Sequence, residues 1–156
     1  MKIEFKLNGR TIAFDAGAND TLYGMLRALG ISSVKCGCET TNCGLCTVHM
    51  DGKAVLSCSV PAMRCNGRDI RTLEGMGDAA KALADCLADE GADQCGFCAP
   101  GMMMNVLMLA KENPNATDEE ADVYLAGNLC RCTGYMSQKR AIRRFLNRVV
   151  SGEVRV

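Results

Sequence analysis

The sequence predicts an α+β fold, with a small β-rich domain over residues 1–74 and a helical domain over residues 78–156. Apolar residues alternate with polar ones in the first half, on both sides of the turn dipeptides Asn8-Gly9 and Asp51-Gly52. Beyond Gly77 they recur at helical spacing instead. A change of period at a glycine is typical of a link between two structural units.

The first domain is expected to contain two hairpins and one helix. From Leu22 the apolar spacing becomes i, i+3, i+4, i+7, and Gly30 suits the position just beyond a helix end. In chain order, the pattern predicts a hairpin over residues 3–14, a helix over residues 21–29, a hairpin over residues 47–58 and a short strand over residues 70–73.

The second domain is expected to contain four helices, enough for a small bundle. Asp78 can cap the first, Pro100 suits the start of the second, and Thr117 with Glu120 forms a capping-box pair for the third. The last helix is amphipathic. The four are predicted from Asp78 to about Glu90, from Pro100 to the Asn113-Pro114 stop, from Thr117 to about Gly127 and from Ser137 to Val150.

Charge and composition narrow the classes of function. Eighteen basic side chains balance 18 acidic ones and tryptophan is absent, so neither nucleic-acid binding nor attraction to an acidic membrane is expected. The basic face Lys139, Arg140, Arg143, Arg144 and Arg148 is interpreted as solvated, with docking to a partner subunit as the second interpretation. No apolar run is long enough for a membrane span and no export signal is recognised, so a cytoplasmic location is expected.

Eleven cysteines in 156 residues are the strongest signal. Their odd number and the expected reducing compartment favour metal binding over a disulfide scaffold. In the first half, Cys38, Cys43 and Cys46 have the C-x4-C-x2-C spacing of plant-type 2Fe-2S ferredoxins, and Cys58 can be the distant fourth ligand. Gly37 and Gly44 are expected to supply left-handed backbone for the loop.

A second group of four cysteines lies in the predicted helical domain. Cys95 and Cys98 immediately precede the helix at Pro100, whose N-terminus would favour an anionic cofactor. Cys130 and Cys132 occupy a later loop between two helices. Each half of the chain therefore offers four thiolates, and two structural zinc sites remain the alternative to two iron–sulfur clusters.

Other cysteines and the single histidine receive simpler interpretations. Cys86 is expected to be a buried small hydrophobe, Cys65 has no partner motif, and Cys36 lies two residues too early for the cluster spacing. His49 is expected at the surface, since it alternates outward from Val48. A Rieske-type site would need two histidines and is excluded by their number.

Two long motifs carry a resemblance to a known family. Residues 94–102, QCGFCAPGM, and residues 127–135, GNLCRCTGY, resemble the iron–sulfur subunit of molybdenum hydroxylases, the xanthine dehydrogenase and aldehyde oxidoreductase family. CGLCTV over residues 43–48 and TLEG over residues 72–75 also fit. The resemblance runs from the first hairpin to about Tyr135.

This resemblance implies a β-grasp ferredoxin-like domain followed by a four-helix bundle, each with one 2Fe-2S cluster. It further implies an oxidoreductase subunit that is not catalytic alone. Electrons would leave a molybdopterin centre on a large subunit, pass the helical-domain cluster and then the ferredoxin-domain cluster, and reach FAD on another subunit. Gln94 and Cys132 would lie against the pterin.

The sequence also departs from the family pattern. Glu39-Thr40-Thr41-Asn42 stands where the family usually has Gly-Glu-Gly, and Met136-Ser137-Gln138 replaces the common continuation after Tyr135. Substrates used by relatives include purines such as xanthine, aldehydes, N-heterocycles and aromatic acyl-CoA compounds, with a purine as first choice. A zinc-stabilised interaction module and a free-standing ferredoxin are the alternative functions.

Overall fold

The computed structural model describes the whole chain, residues 1–156, as a five-stranded sheet with one helix followed by four further helices. The strands are β1 (Lys2–Leu7), β2 (Arg10–Asp15), β3 (Thr47–Met50), β4 (Lys53–Leu56) and β5 (Asp69–Arg71). The helices are α1 (Leu22–Ala28), α2 (Gly77–Asp89), α3 (Ala99–Glu112), α4 (Asp118–Leu125) and α5 (Met136–Val150). The predicted α+β class is confirmed. None of the helices has the length and apolar character needed to cross a membrane.

The sheet has the strand order β2-β1-β5-β3-β4, with β1 and β5 parallel and the other neighbours antiparallel. Both predicted hairpins are present. Asn8 and Gly9 have φ of 50° and 82°, and Asp51 and Gly52 have φ of 50° and 75°. Positive φ at both central residues is the type I′ geometry that matches the twist of paired strands. A mixed sheet carrying one helix is the β-grasp arrangement that the resemblance implies.

The buried apolar side chains form two clusters. One joins the sheet to α1 and contains 13 residues, among them Phe5, Leu26 and Ile70. The other joins α2, α3, α4 and α5 and contains 19 residues, among them Leu107 and Phe145. Each cluster has the alternating or helical apolar pattern of its own half of the sequence, because burial of one face imposes the period of the element.

Element boundaries differ slightly from prediction. The last strand is Asp69–Arg71, because the chain leaves the sheet at Thr72 and turns through a short 3-10 helix at Leu73–Gly75. Helix α2 begins at Gly77, so Asp78 lies inside the first turn, where a carboxylate still favours the helix dipole. The capping box of Thr117 and Glu120 is present as predicted.

The basic face of α5 is neutralised within the chain. Each of its five basic side chains forms an ion pair with an acid from α2, α4 or the segments that follow α2 and α5. The pairs are Lys139–Asp122 at 2.6 Å, Arg140–Glu90 at 3.0 Å, Arg143–Asp118 at 2.7 Å, Arg144–Asp89 at 3.0 Å and Arg148–Glu153 at 2.6 Å. Exposed pairs contribute about 0–1 kcal/mol each, but together they cancel the charge of this face.

Candidate metal centres

The first four candidate thiols come together around the loop that precedes β3. Cys38 and Cys43 are in side-chain contact, and so are Cys46 and Cys58. Cys46 directly precedes β3 and Cys58 lies in the short 3-10 turn after β4, so the second hairpin holds this pair together. The four thiols predicted from spacing therefore form two adjoining pairs.

Backbone amides and burial act in opposite directions on the thiol pKa values of this first group. The N–H groups of Asn42 and Thr40 lower the pKa of Cys38 to about 6. Burial raises the pKa of Cys43. Burial, followed by contact with the Cys46 thiol, raises the pKa of Cys58 to about 12. The loop therefore presents N–H donors to sulfur on one side and a low-dielectric environment on the other, which suits a buried anionic group neutralised by metal.

Only one of the two glycines expected to supply left-handed backbone in this loop does so. Gly44 has φ of 73°, as predicted, but Gly37 does not have positive φ. A Cβ at Gly37 would lie 2.7 Å from Cδ2 of Leu45, so a larger residue there would require the Leu45 side chain to move. Thr41 has φ of 57° in the segment that departs from the family pattern. A β-branched residue in this region carries a strain of about 1–2 kcal/mol.

The second four candidate thiols also form two pairs. Cys95 and Cys132 are exposed, with 3.5 Å between their Sγ atoms. Cys98 and Cys130 are less exposed and in side-chain contact. Cys98 is the N-cap residue of α3, so Cys95 and Cys98 immediately precede this helix, as predicted.

The inner pair of this group has opposing environments. Burial opposes ionisation of Cys130, but the Thr133 hydroxyl and nearby backbone amides outweigh it and lower its pKa to about 7. Burial, followed by the neighbouring Cys130 sulfur, raises the pKa of Cys98 to about 11. The backbone N–H of Cys130 also donates to the Tyr135 hydroxyl at 2.7 Å. Tyr135 has φ of 70°, which turns the chain into α5.

The remaining cysteines stand apart from these pairs. Cys36 is exposed, and its Sγ donates to the carbonyl of Cys38 at 3.3 Å. Cys86 is 1% exposed, as predicted for a small core residue, and Cys65 is also buried. All eleven cysteines are free of disulfide bonds. No three histidine, cysteine, aspartate or glutamate side chains are grouped closely around one point that could hold a single ion.

Backbone contacts join the two thiol groups. The N–H of Leu129 donates to the carbonyl of Cys43 at 2.9 Å, and Nδ2 of Asn128 donates to the carbonyl of Gly44 at 3.3 Å. Asn105 holds Asn128 in turn through a 2.6 Å bond. Sequence reasoning assigned no role to Asn128 or Leu129. Their place immediately before Cys130 in the GNLCRCTGY motif was the available signal.

A second junction corrects the expectation for His49. This residue is 6% exposed, and its Nε2 donates to the carbonyl of Met104 at 2.7 Å. The outward face of β3 is covered by α3, so alternation in the strand does not lead to solvent here. Burial lowers the pKa of His49, with the bond to Met104 acting in the opposite direction. The ring is therefore a neutral donor that ties β3 to α3.

This environment predicts a pH effect on stability. Because the pKa of His49 is lower in the folded chain, the unfolded chain binds the extra proton, and stability falls as pH drops below about 6.5. Lys111 and Arg71 add to the lowering and Glu112 opposes it. A His49→Gln variant keeps a donor but cannot titrate. Between about pH 7.5 and 5.5, we expect the free energy of unfolding of this variant to fall by about 1 kcal/mol less than that of the wild type, as measured by thermal unfolding. Parallel losses would contradict this role for His49.

Exposed apolar side chains lie close in sequence to the cysteines of the second thiol group. Gln94 and both thiols of the Cys95–Cys132 pair are exposed. Nearby large apolar residues in the same two motifs and at the start of α5 are also exposed. They are Phe97 at 45%, Leu129 at 47%, Tyr135 at 37% and Met136 at 61%. An apolar patch rimmed by polar groups is typical of a surface that contacts another protein.

Comparisons with known families agree with these two groups. A family model described as a 2Fe-2S iron-sulfur cluster binding domain matches residues 5–72, which contain the first group. A second, described as a 2Fe-2S binding domain, matches residues 72–143, which contain the second group. The two models together span most of the sheet, helices α1, α2, α3 and α4, and the first half of α5.

Similar proteins match the chain over most of its length. The nicotinate dehydrogenase small FeS subunit of Eubacterium barkeri is 41% identical over 90% of this chain and 92% of its own. The xanthine dehydrogenase iron-sulfur-binding subunit of Escherichia coli O157:H7 is 46% identical over 85% and 86%. Among solved structures, quinoline 2-oxidoreductase of Pseudomonas putida 86 superposes with a TM-score of 0.90 at 36% identity, covering 99% of this chain and 98% of its own.

A further structure defines how the chain relates to larger enzymes. The aldehyde oxidoreductase of Desulfovibrio desulfuricans superposes with a TM-score of 0.89 at 33% identity, over 97% of this chain but only 17% of its own. The fold, both thiol groups and these similarities agree. The chain belongs to the iron–sulfur small subunits of the xanthine and nicotinate dehydrogenase-like molybdenum hydroxylases, which are electron-transferring oxidoreductase subunits with two 2Fe-2S binding domains.

Proposed function

We propose that this subunit carries electrons, one at a time, from a molybdopterin centre on a large subunit towards FAD on another subunit. The helical-domain cluster is held by Cys95, Cys98, Cys130 and Cys132 and receives the electron first. The ferredoxin-domain cluster is held by Cys38, Cys43, Cys46 and Cys58 and receives it second. The boundary between residues 1–74 and 78–156 then separates the two clusters, which is supported by the two separate apolar cores.

The donor sets fit 2Fe-2S clusters. A 2Fe-2S cluster held by four cysteines takes two thiolates on each iron, and each thiol group here consists of two contacting pairs. A bound cluster supplies a one-electron redox centre. The chain supplies the thiolates and the N–H groups of Thr40 and Asn42 that favour negative charge on sulfur. It also partly buries the thiols of Cys43, Cys58 and Cys98.

The observation that best supports electron transfer between the two clusters, in either direction, is the backbone hydrogen bond between Leu129 and Cys43. The path runs from Cys130 along the backbone to the N–H group of the preceding residue, Leu129. This N–H group donates to the carbonyl of Cys43 at 2.9 Å. Two proposed cluster ligands are therefore joined by covalent bonds and one hydrogen bond. The Asn128–Gly44 hydrogen bond and the close packing of Gly101 on Gly44 hold the two segments of this junction together.

The surface around Cys95 and Cys132 supports the proposed contact with a large subunit. Its exposed thiols can hold a cluster near the surface, Gln94 directly precedes Cys95 in the chain, and exposed apolar residues occur in the same two motifs. A related xanthine dehydrogenase of Emericella nidulans matches this chain over only 12% of its length, so that protein carries further parts on the same polypeptide. We propose that separate subunits supply these parts for the present chain. Gln94 and Cys132 of this chain would then contact the pterin on the large subunit. The complex is proposed to be cytoplasmic.

For substrate, we propose an aromatic N-heterocycle, a purine such as xanthine included. Three similar proteins are named for nicotinate, nicotine or xanthine, and a similar structure is named for quinoline. All four names denote ring nitrogen compounds. An aldehyde is the second candidate, supported by the similarity to aldehyde oxidoreductases. A substrate panel on the intact complex separates the two.

Metal analysis and EPR of the complex purified through this subunit test the proposal. We expect about four iron atoms per chain, two different reduced 2Fe-2S signals and a co-purifying subunit that contains molybdenum. Reduction of both signals by an N-heterocyclic substrate supports the relay. Two zinc ions in a colourless protein would replace it with a structural module. Two clusters without any molybdenum-containing partner would indicate a free-standing ferredoxin.

A further inference from the structure

We infer that Gln138 positions a side-chain N–H on the sulfur of Cys98 and thereby raises the reduction potential of the helical-domain cluster. The inference rests on the proposed function, because it takes Cys98 as a cluster ligand. It gives a role to the Met136-Ser137-Gln138 segment, which departs from the family pattern.

The contact is made from the first turn of α5. Nε2 of Gln138 donates to Sγ of Cys98 at 3.7 Å, a distance that is longer than for an oxygen acceptor because sulfur is the larger atom. Gln138 is 2% exposed, so water does not compete for this donor. Cys98 belongs to the inner pair with Cys130, and the amide therefore acts on the protected side of the site.

A glutamine is costly at this position unless its amide has a purpose. Gln138 lies on the buried face of α5 with Ala141, Ile142 and Phe145, at the spacing i, i+3, i+4 and i+7. Apolar side chains fill the rest of this face. Oε1 of Gln138 is buried without a hydrogen-bond partner. Packing alone would favour an apolar residue, so the bond from Nε2 to sulfur is the interaction that distinguishes glutamine here.

The direction of the effect follows from charge. Reduction adds one electron to the cluster and increases the negative charge on its sulfur ligands. A hydrogen bond to a ligand sulfur stabilises the reduced form more than the oxidised form and raises the potential. In the proposed order of transfer, this cluster takes the electron from the molybdopterin centre. Gln138 therefore makes electron transfer from the molybdopterin centre to this cluster more favourable.

Redox titration followed by EPR tests the inference on the purified complex, with Gln138→Met as the variant and Ser137→Ala as the matched control. Methionine keeps the volume and removes the donor. At fixed ambient potential, we expect the reduced-to-oxidised ratio of the helical-domain cluster to fall about tenfold, equivalent to about 59 mV for one electron. The ferredoxin-domain cluster and the Ser137→Ala complex should retain wild-type potentials.

Several results would overturn the inference. An unchanged potential of the helical-domain cluster, or an equal shift of both clusters, would each contradict it. A rise in that potential would also contradict it, because it would place Oε1 rather than Nε2 on the sulfur. All three results would leave the proposed relay intact. If Gln138→Met does not assemble, pulsed EPR of protein that retains Gln138, with 15N in the side-chain amides of its glutamines, decides. Because Gln94 is the other glutamine, a Gln94→Asn background isolates Gln138. A 15N coupling supports the bond, and its absence excludes it. Absence of both cluster signals would instead overturn the proposed function as well.

Discussion

Replacing Cys38 by serine is expected to remove the ferredoxin-domain cluster, whereas replacing Cys36 by serine should leave both clusters in place. Iron should fall from about four to about two atoms per chain in Cys38→Ser, with loss of one of two reduced EPR signals. Cys38 contacts Cys43 and receives the N–H groups of Asn42 and Thr40. Cys36 is exposed, and its Sγ is directed to the carbonyl of Cys38 instead.

The surviving helical-domain signal is the internal control in this pair of variants. Cys36 lies only two residues from Cys38, so it could substitute for the missing ligand after a small movement of the loop. A Cys36→Ser, Cys38→Ser double variant excludes that rescue. Retention of the cluster in Cys38→Ser with loss in Cys36→Ser would show that the predicted spacing begins two residues too late.

Local patterns in the sequence were sufficient for the elements and for the grouping of thiols. Asn8-Gly9 and Asp51-Gly52 permit few alternatives to a type I′ hairpin, and C-x4-C-x2-C spacing forces three thiols around one loop. Spacing does not determine which thiols pair. That Cys46 meets Cys58, and Cys98 meets Cys130, depends on how the second hairpin and the bundle fold back.

Features that depend on contacts between distant segments could not be predicted. His49 alternates outward from Val48, but outward on β3 faces α3 rather than water. Gln138 is polar on an apolar helix face, and only the position of Cys98 shows why. Gly37 is predicted to provide positive φ, yet its backbone is not left-handed, and what lies close to it is the side chain of Leu45. Each of these features depends on a residue that is distant in sequence but close in space, and the local pattern of apolar residues does not specify such a neighbour.

Adding a single methyl group at Gly101 is expected to disrupt the junction between the two thiol groups. Gly101 is buried in the first turn of α3. A Cβ there would lie 2.5 Å from the carbonyl oxygen of Gly44 and 2.8 Å from Cα of Leu45. Both neighbours are backbone atoms of the first cysteine loop and cannot rotate away. We expect Gly101→Ala to destabilise the subunit by about 3 kcal/mol and to lower its urea unfolding midpoint.

The same substitution elsewhere in the chain isolates the cause. Gly24 lies in α1, where a Cβ would meet only Oγ1 of Thr21 at an ordinary 3.6 Å. Alanine favours helix over glycine by about 1 kcal/mol, so Gly24→Ala should stabilise while Gly101→Ala destabilises. Separation of the loops should also weaken the magnetic interaction between the two reduced clusters, because it lengthens the path from Leu129 to Cys43. A stable Gly101→Ala subunit with wild-type coupling would mean that α3 and the cysteine loop do not pack this closely.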